Sequence, residues 1–187
     1  DTESGIITSP DDCDLVISDF PFNEGFETGL SNWDQILSDD MDWLLGSGGT
    51  PSNGTGPSSA TEGSNYLFIE ATSPNFPSKT GIITSPCFDL TSLSEPALRF
   101  AYNMNGTGMG TLSVEGRSNN ENWVELWTQS GNQGTNWIDA EVSLGAFAEA
   151  EDLKLRFIGS TATSFTSDMS IDAVEIGEES EENTSFS

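Results

Sequence analysis

Two acidic residues stand in short apolar stretches near opposite ends of the chain, and their setting favours metal binding. Glu27 lies in the segment GFETGLSNW, and Asp172 lies in SIDAVEI. Both segments read as strands, and a carboxylate buried without a partner is usually protonated, paired with a cation or bound to a metal. Since five Lys and Arg face 31 Asp and Glu, a hard cation such as calcium is the simplest partner.

The residue types needed for common kinds of catalysis are missing. The chain has no His, so neither a Ser-His-Asp nor a Cys-His arrangement can form. Its two Cys do not make a tetrahedral zinc site. A carboxylate pair could in principle cleave a glycoside, but the spacing singles out no pair. We therefore expect a non-catalytic domain.

The net charge of −26 restricts the partners. Nucleic acid and anionic membranes are excluded, because no basic surface exists to neutralise phosphate. Such charge strains the folded state by self-repulsion, which salt or divalent cations relieve. This predicts a salty extracellular setting, such as that of a marine bacterium. A merely acidic secreted domain is the alternative.

The cysteines are Cys13 and Cys87. In an extracellular protein an even number of Cys predicts a disulfide, which here would close a loop of about 75 residues. Two buried thiols are the alternative.

Other signals bear on secretion. No apolar run reaches the ~18 residues of a membrane span, and the first residue reads as a mature or excised start. Asn53, Asn105 and Asn183 lie in N-x-S/T sequences, which accept glycans in a eukaryotic secretory pathway or simply form turns. We expect a secreted, extracellular protein.

Apolar and polar residues alternate over short runs, which is the pattern of β-strands. In TLSVEG, from residue 111, Leu112 and Val114 share one face, and NYLFIEA, from residue 65, is apolar on both faces. Further strands are predicted at 15–17, 81–84, 98–102, 124–127, 137–142, 153–157 and 171–176. Nine or so short strands separated by Gly- and Asn-rich turns predict an all-β fold: a two-sheet antiparallel β-sandwich with jelly-roll topology.

Three regions follow from this pattern. Residues 1–21 are expected to form an N-terminal strand segment packed on the domain, residues 22–177 the jelly roll, and residues 178–187 an acidic disordered linker or tail. Inside the domain, the polar, Gly-rich segment 46–65 predicts a long functional or metal-organising loop. GIITSP occurs at 5–10 and at 81–86, which two strands lying side by side, chance or partial duplication would explain.

Many short motifs occur in a characteristic order between Phe22 and Ile176. They include GFE, NWDQ, DMDW, NGTGP, YLFIE, LRFAYNMNGTGMGTLSVE and SIDAVEI. In this order they resemble the MAM domain of extracellular receptors and metalloproteases. The first and last motifs are also similar to those of carbohydrate-binding jelly rolls and of gingipain-type adhesin domains. The resemblance implies a two-sheet jelly roll with a structural calcium ion.

The sequence departs from the MAM pattern at several positions. Ser59-Ala60 stands where Asp-His is usual, and Ala173 replaces the second Asp of the last strand. Ala97 stands in place of a cysteine, so the two usual disulfides cannot both form. We therefore expect a distant, bacterial member.

The resemblance also implies a set of metal ligands. These are the carboxylates of Glu27 and Asp172 and the backbone carbonyl of Ser64 or Asn65, with Asp42 as a further candidate. Calcium needs 6–8 oxygens, so carboxylates, carbonyls and water make a suitable shell. The alternative is that the carboxylates face solvent or accept hydrogen bonds from backbone N–H groups.

Aromatic residues are the other candidates for binding. Trp123 stands in the polar sequence NNENWVE and is the best candidate for an exposed ring that stacks on a sugar. The alternative is a residue at the rim of the domain, partly covered by its own loop. Tyr102 and Trp43 are weaker candidates. Core packing is the expectation for the remaining Trp residues.

Together these features predict a non-catalytic accessory or adhesion module of a secreted multidomain protein. We expect it to be stabilised by calcium and to bind an extracellular protein or surface. The attached domain would be a protease or a polysaccharide-degrading enzyme. The alternatives are a carbohydrate-binding module and a structural spacer. Self-association through an exposed edge strand is a further expectation.

Overall fold

The computed structural model describes residues 13–180, which form two β-sheets packed face to face. The strands are β1 (Val16–Ile17), β2 (Phe22–Glu24), β3 (Asp34–Gln35), β4 (Leu44–Gly46), β5 (Tyr66–Phe68), β6 (Thr80–Phe88), β7 (Pro96–Asn103), β8 (Thr111–Arg117), β9 (Val124–Ser130), β10 (Ile138–Ser143), β11 (Leu153–Ser160) and β12 (Ser170–Glu178). A 3₁₀ turn spans Gly145–Phe147. Within residues 13–180 no helix is long and apolar enough to cross a membrane.

The first sheet has the order β1-β6-β11-β8-β9, and β3 also pairs with β6. All its pairs are antiparallel except β1 with β6, which is parallel. Cys13, just before β1, forms a disulfide with Cys87 in β6, which confirms the predicted pairing. The link fixes the N-terminal segment to this sheet.

The second sheet has the order β10-β7-β12-β5-β4. The long strand β12 pairs with β7 along one edge and with both β5 and β2 along the other. The register of β12 with β7 shifts between Asp172 and Glu175, and Ala173 there has a φ of 50°. This bulge lies between the segments of β12 that pair with β5 and with β2.

Aromatic side chains fill the space between the sheets. Phe157 of β11 and Phe100 of β7 meet edge to face, with ring centroids 5.0 Å apart. Trp33 packs on Phe157 from one side, and Trp127 packs on Phe100. These contacts join the two sheets, and a buried side chain of this size contributes about 1.5–3 kcal/mol of hydrophobic stabilisation.

The structure confirms the all-β two-sheet sandwich and each predicted strand within residues 13–180. Three short strands, β2, β3 and β4, were not predicted, because runs of two or three residues are too short to show alternation. The first GIITSP copy lies outside the described residues, and the second forms most of β6.

Residues 178–180, which were predicted to belong to the disordered tail, bond to the domain. Glu178 is the last residue of β12, and its carboxylate accepts the backbone N–H groups of Ser94 and Glu95 at 2.9 and 2.7 Å. Ser180 also bonds to Glu141. Residues 181–187 lie outside the described part of the chain.

Candidate functional site

The segment between β4 and β5, residues 47–65, covers the outer face of the second sheet. Tyr66 donates its hydroxyl hydrogen to the Gly48 carbonyl at 2.7 Å, and the indole N–H of Trp137 donates to the Ser59 carbonyl at 2.8 Å. The rings of Tyr66 and Trp137 also meet edge to face. This segment, the 47–65 loop, is therefore an ordered cover, which agrees with the prediction of a long loop inside the domain.

The loop buries a line of polar residues at the start of β12 and in the two residues before it. Side chains alternate along a strand, so Met169 and Ile171 face the core, while Asp168, Ser170 and Asp172 face outward. All five are 0% exposed. The outward residues are buried only because the loop lies over them.

Asp172 holds one end of the 47–65 loop. Its Oδ2 accepts the backbone N–H groups of Thr61 and Glu62 at 3.0 and 3.1 Å, and its Oδ1 accepts that of Ala173 at 2.7 Å. Burial raises the pKa of Asp172, and these three N–H groups oppose the rise. At the β12 bulge, the Asp172 carboxylate thus bonds to the backbone of the loop, where a regular strand would pair with a neighbouring strand.

Glu27 holds the same end of the loop from the other side. It lies in a turn after β2 and is exposed, so its predicted place inside a buried strand is wrong. The chain turns there because Phe26 has a φ of 56°. The Oε1 of Glu27 accepts the backbone N–H groups of Ser64 and Asn65 at 2.9 and 2.8 Å.

Four of the five predicted metal-site residues therefore meet at one junction, where Glu27 and Asp172 bind the 61–65 part of the loop. Asp42 does not share a described contact with them; it is exposed and lies near Asp39, whose pKa its charge helps to raise. The carboxylates accept N–H groups here, which is the alternative that the sequence left open.

An acidic cleft of about 520 Å³ opens beside this junction. Its lining includes the carboxylates of Glu24, Glu27, Glu62 and Glu175. Of these, Glu175 pairs with Arg99. Glu24 and Glu62 were not predicted as site residues, because their approach to each other depends on the way the loop folds against the bulge.

Asp168 was also missed, although it lies two and four positions before Ser170 and Asp172 on the same strand face. Burial raises its pKa to about 6, and the charge of Glu70 adds to the rise. The N–H of Ala71 and the Thr50 hydroxyl partly oppose it. Because the folded pKa exceeds the reference value of 3.8, stability from this group is greatest at low pH. It is lost as the pH rises towards 6, at a cost on the order of 3 kcal/mol.

The weaker aromatic candidates are not available to a ligand. Trp43 is 2% exposed and donates its indole N–H to the Gly81 carbonyl, and Tyr102 is 6% exposed and packs on Trp127. Their prediction as binding residues is wrong, because both face inward between the sheets.

Trp123 lies at the surface, just before β9, and is half-buried. The guanidinium groups of Arg117 and Arg156 lie 4.6 and 4.3 Å from the centre of its ring. Two of the five cations of the chain thus surround this indole in an otherwise acidic protein.

The N-x-S/T positions differ in their surroundings. Asn53 is exposed. The side-chain amide of Asn105 donates to the Gly56 carbonyl at 3.1 Å, so a glycan there would break a contact that holds the loop. Asn183 lies outside the described residues.

Comparison with known families agrees with this architecture. The family described as MAM domain, meprin/A5/mu matches residues 25–181. The chain belongs to the MAM domain family. MAM domains are non-catalytic adhesion and binding modules that occur in extracellular or surface proteins, as the motif order predicts.

Curated relatives match this chain over most of its length. The mouse (Mus musculus) MAM domain-containing glycosylphosphatidylinositol anchor protein 2 is 30% identical over 174 residues, covering 84% of this chain. Neuropilin-1 of Xenopus laevis is 32% identical over 141 residues, covering 73%. The chain spans only 18% and 14% of these two proteins.

Solved structures share the fold at low sequence identity. The K1 adhesin domain of Lys-gingipain from Porphyromonas gingivalis superposes with a TM-score of 0.63 and 18% identity, covering 85% of this chain and 98% of that one. A xylan-binding CBM22 domain gives 0.52 and 13%, covering 84% and 93%. These likenesses confirm the jelly-roll sandwich for this MAM domain.

Proposed function

We propose that this MAM domain is an adhesion module that binds an extracellular protein through the acidic cleft and the adjoining 47–65 loop. The observation that carries the proposal is the double anchoring of the loop by Glu27 and Asp172 beside the cleft. The anchored loop gives a MAM family member a fixed recognition surface. A fixed surface binds with less loss of conformational freedom than a mobile loop.

The charge of the cleft indicates the kind of partner. Glu24, Glu27 and Glu62 line it without an ion pair among the described contacts, and no Lys or Arg is among its described lining residues. Arg99 pairs with the fourth carboxylate, that of Glu175. A partner with Lys or Arg at its contact surface would be attracted and oriented by these carboxylates.

The experiment is adhesion of beads coated with the full chain to extracellular protein surfaces. We expect beads coated with the double variant Glu24→Gln/Glu62→Gln to be retained less than beads coated with the parent chain. Beads coated with Glu121→Gln, which changes an exposed residue away from the cleft, should be retained as well as the parent. Beads coated with an unrelated protein of similar net charge control for non-specific attraction. Equal retention on all beads would contradict the proposal.

A calcium ion at the loop junction is part of the proposal. Carboxylate and carbonyl oxygens of Glu27, Asp172, Ser64 and Asn65 are hard donors, which fit calcium in kind. The loop backbone at Gly63 lies close to the Glu27 carboxylate, since a Cβ on Gly63 would be 2.4 Å from the Glu27 Oε1. Within residues 13–180 no three acidic side chains converge on one point, so loop carbonyls and water would have to complete the shell.

Calcium is expected to raise the melting temperature of the domain. At a calcium concentration 100 times the Kd, binding to the folded state alone adds about 2.7 kcal/mol, or about 5–10 °C for a domain of this size. Scanning calorimetry with calcium and with EDTA measures this. Sodium chloride at matched ionic strength is the control, because salt by itself relieves the repulsion within so acidic a protein. A melting temperature that calcium does not raise beyond the salt effect would exclude the ion.

A second candidate function is binding of an acidic polysaccharide at Trp123. Arg117 and Arg156 lie over the Trp123 ring, and Arg156 also pairs with Glu115. The exposed part of the indole beside these guanidinium groups would contact uronic acid or sulfated sugars through apolar surface and positive charge.

Native affinity electrophoresis in gels containing acidic or neutral polysaccharides tests this second function. We expect retardation on an acidic glycan, lost in Trp123→Ala and kept in Val124→Ala, which removes a neighbouring exposed side chain. If the two variants migrate alike on every gel, the indole does not bind sugars.

A further inference from the structure

A second pair of carboxylates lies under the 47–65 loop, on neighbouring chain segments. β12 pairs with β5 so that Ser170 lies opposite Phe68. The ladder continues one step beyond the strands, since the N–H of Ile69 donates to the Met169 carbonyl at 2.9 Å. The same register places Asp168 opposite Glu70 on the outer face of the sheet. Like charges in such facing positions repel each other.

Each carboxylate of this pair uses one oxygen and leaves the other without a partner. The Oδ1 of Asp168 accepts the N–H of Ala71 at 2.8 Å. The Oε1 of Glu70 accepts the hydroxyl hydrogen of Ser52 at 2.9 Å and also bonds to Thr72. The remaining oxygens, Asp168 Oδ2 and Glu70 Oε2, are buried and accept no hydrogen bond.

A third buried polar atom on the same face also lacks a partner. Ser170 is 0% exposed, and its Oγ forms no hydrogen bond. It stands two residues after Asp168, which is also 0% exposed, so alternation places both side chains on the outward face. Native proteins rarely bury unpartnered polar atoms, because each costs about 1–3 kcal/mol.

Among residues 13–180, no Lys or Arg forms a described ion pair with Asp168 or Glu70. The Thr50 hydroxyl lies near Asp168 and lowers its pKa, but its one hydrogen is shared with the Thr55 carbonyl 3.1 Å away, and the Asp168 Oδ2 accepts no hydrogen bond. Lys79 and Arg99 form ion pairs with other carboxylates. Arg117, Lys154 and Arg156 belong to strands of the first sheet.

We propose that Asp168 and Glu70 bind a divalent cation of the calcium class beneath residues 50–55 of the 47–65 loop. Asp168 Oδ2, Glu70 Oε2 and Ser170 Oγ are its oxygen donors, and loop carbonyls and water complete the 6–8 ligands that calcium takes. This site is separate from the junction at Glu27 and Asp172, and it does not depend on the proposed adhesion function.

The cation would fasten the first half of the loop to the sheet. Thr55 already accepts the backbone N–H of Asp168 at 2.9 Å, and Ser52 bonds to Glu70. The junction at Glu27 and Asp172 holds the second half. The cation and the junction together would hold both halves of the 47–65 loop against the sheet and make the whole loop rigid.

Terbium luminescence tests the site on the full chain. Terbium replaces calcium at oxygen-rich sites, and Tyr66 lies near Asp168: burial raises the pKa of the Tyr66 phenol to about 12, and the charge of Asp168 adds to the rise. Tyr66 also contacts Trp137. We expect excitation of these aromatic rings to sensitise bound terbium, with calcium displacing it.

Matched variants separate the two sites. We expect Asp168→Asn and Glu70→Gln each to lose one calcium-binding event in calorimetric titration and most of the terbium signal. Glu27→Gln should keep the event assigned to the Asp168–Glu70 pair, and Glu121→Gln should bind as the parent chain does. Circular dichroism of each variant confirms that it is folded.

Two results would overturn the inference. One is calcium and terbium binding in Asp168→Asn and Glu70→Gln equal to that of the parent chain. The other is a loss of stability of the parent chain, as the pH rises towards 6, that is the same with calcium as without it. Asp168 and Glu70 would then share a proton and not bind a cation. Loss of adhesion alone would contradict only the proposed function.

Discussion

Replacing Cys13 by Ser is expected to lower the free energy of unfolding by about 4 kcal/mol. The disulfide closes a loop with a sequence separation of 74 residues, and in the chain-entropy model a loop of this length restricts the unfolded state by about that amount. Cys13 is exposed, so the change removes the cross-link with little disturbance of packing. Urea denaturation at equilibrium measures the loss.

Reduction of the disulfide and the variant Cys87→Ser provide two comparisons for Cys13→Ser. Reduction of the parent protein should give the same loss as Cys13→Ser. Cys87→Ser should cost more, because Cys87 is 1% exposed and a hydroxyl there needs a hydrogen-bond partner. If Cys13→Ser leaves the urea midpoint unchanged, pairing of β1 with β6 is enough to hold the N-terminal segment.

Asp172→Ala is expected to destabilise the domain by about 3–5 kcal/mol in cation-free buffer. The substitution removes three hydrogen bonds from the backbone N–H groups of Thr61, Glu62 and Ala173 to a charged acceptor, and each such bond contributes about 1.5–3 kcal/mol. Thr61 and Glu62 are exposed residues, so water can replace part of this loss. Release of the loop into water reduces the total. Without calcium, the measurement reports the hydrogen bonds alone.

Hydrogen exchange locates the effect of Asp172→Ala. The amides of Thr61 and Glu62 should exchange faster, while those of β11 in the first sheet should change only as far as global stability changes. Asp139→Ala, on an exposed position of β10, is the matched control and should leave all of them unchanged. Unchanged exchange at Thr61 and Glu62 in Asp172→Ala would show that Asp172 does not hold the loop.

The strands could be predicted from the sequence because alternation is a local property. Leu112 and Val114 of β8 are both 0% exposed, as their spacing indicates. The order of motifs predicted the MAM family for the same reason: each motif is a short local feature. The short strands β2, β3 and β4 escaped prediction because their pairing depends on distant partners.

The aromatic candidates show that a local sequence pattern does not predict which side chains are exposed. Trp43, Tyr102 and Trp123 all stand in or near strand-like sequences, yet the first two lie between the sheets and only Trp123 reaches the surface. Alternation tells which residues share a face. It does not tell which face another part of the chain will cover.

By itself, the sequence determined the all-β class, the absence of histidine catalysis, the pair of cysteines and the acidic surface, because these depend on composition and on neighbours along the chain. Tertiary structure alone decided that the 47–65 loop buries the outward face of β12. It also brought Glu27 and Asp172 to one junction and placed Asp168 opposite Glu70. The physical reason is that these contacts join residues up to 113 positions apart, and their register is set by packing of the sheets, which no local pattern encodes.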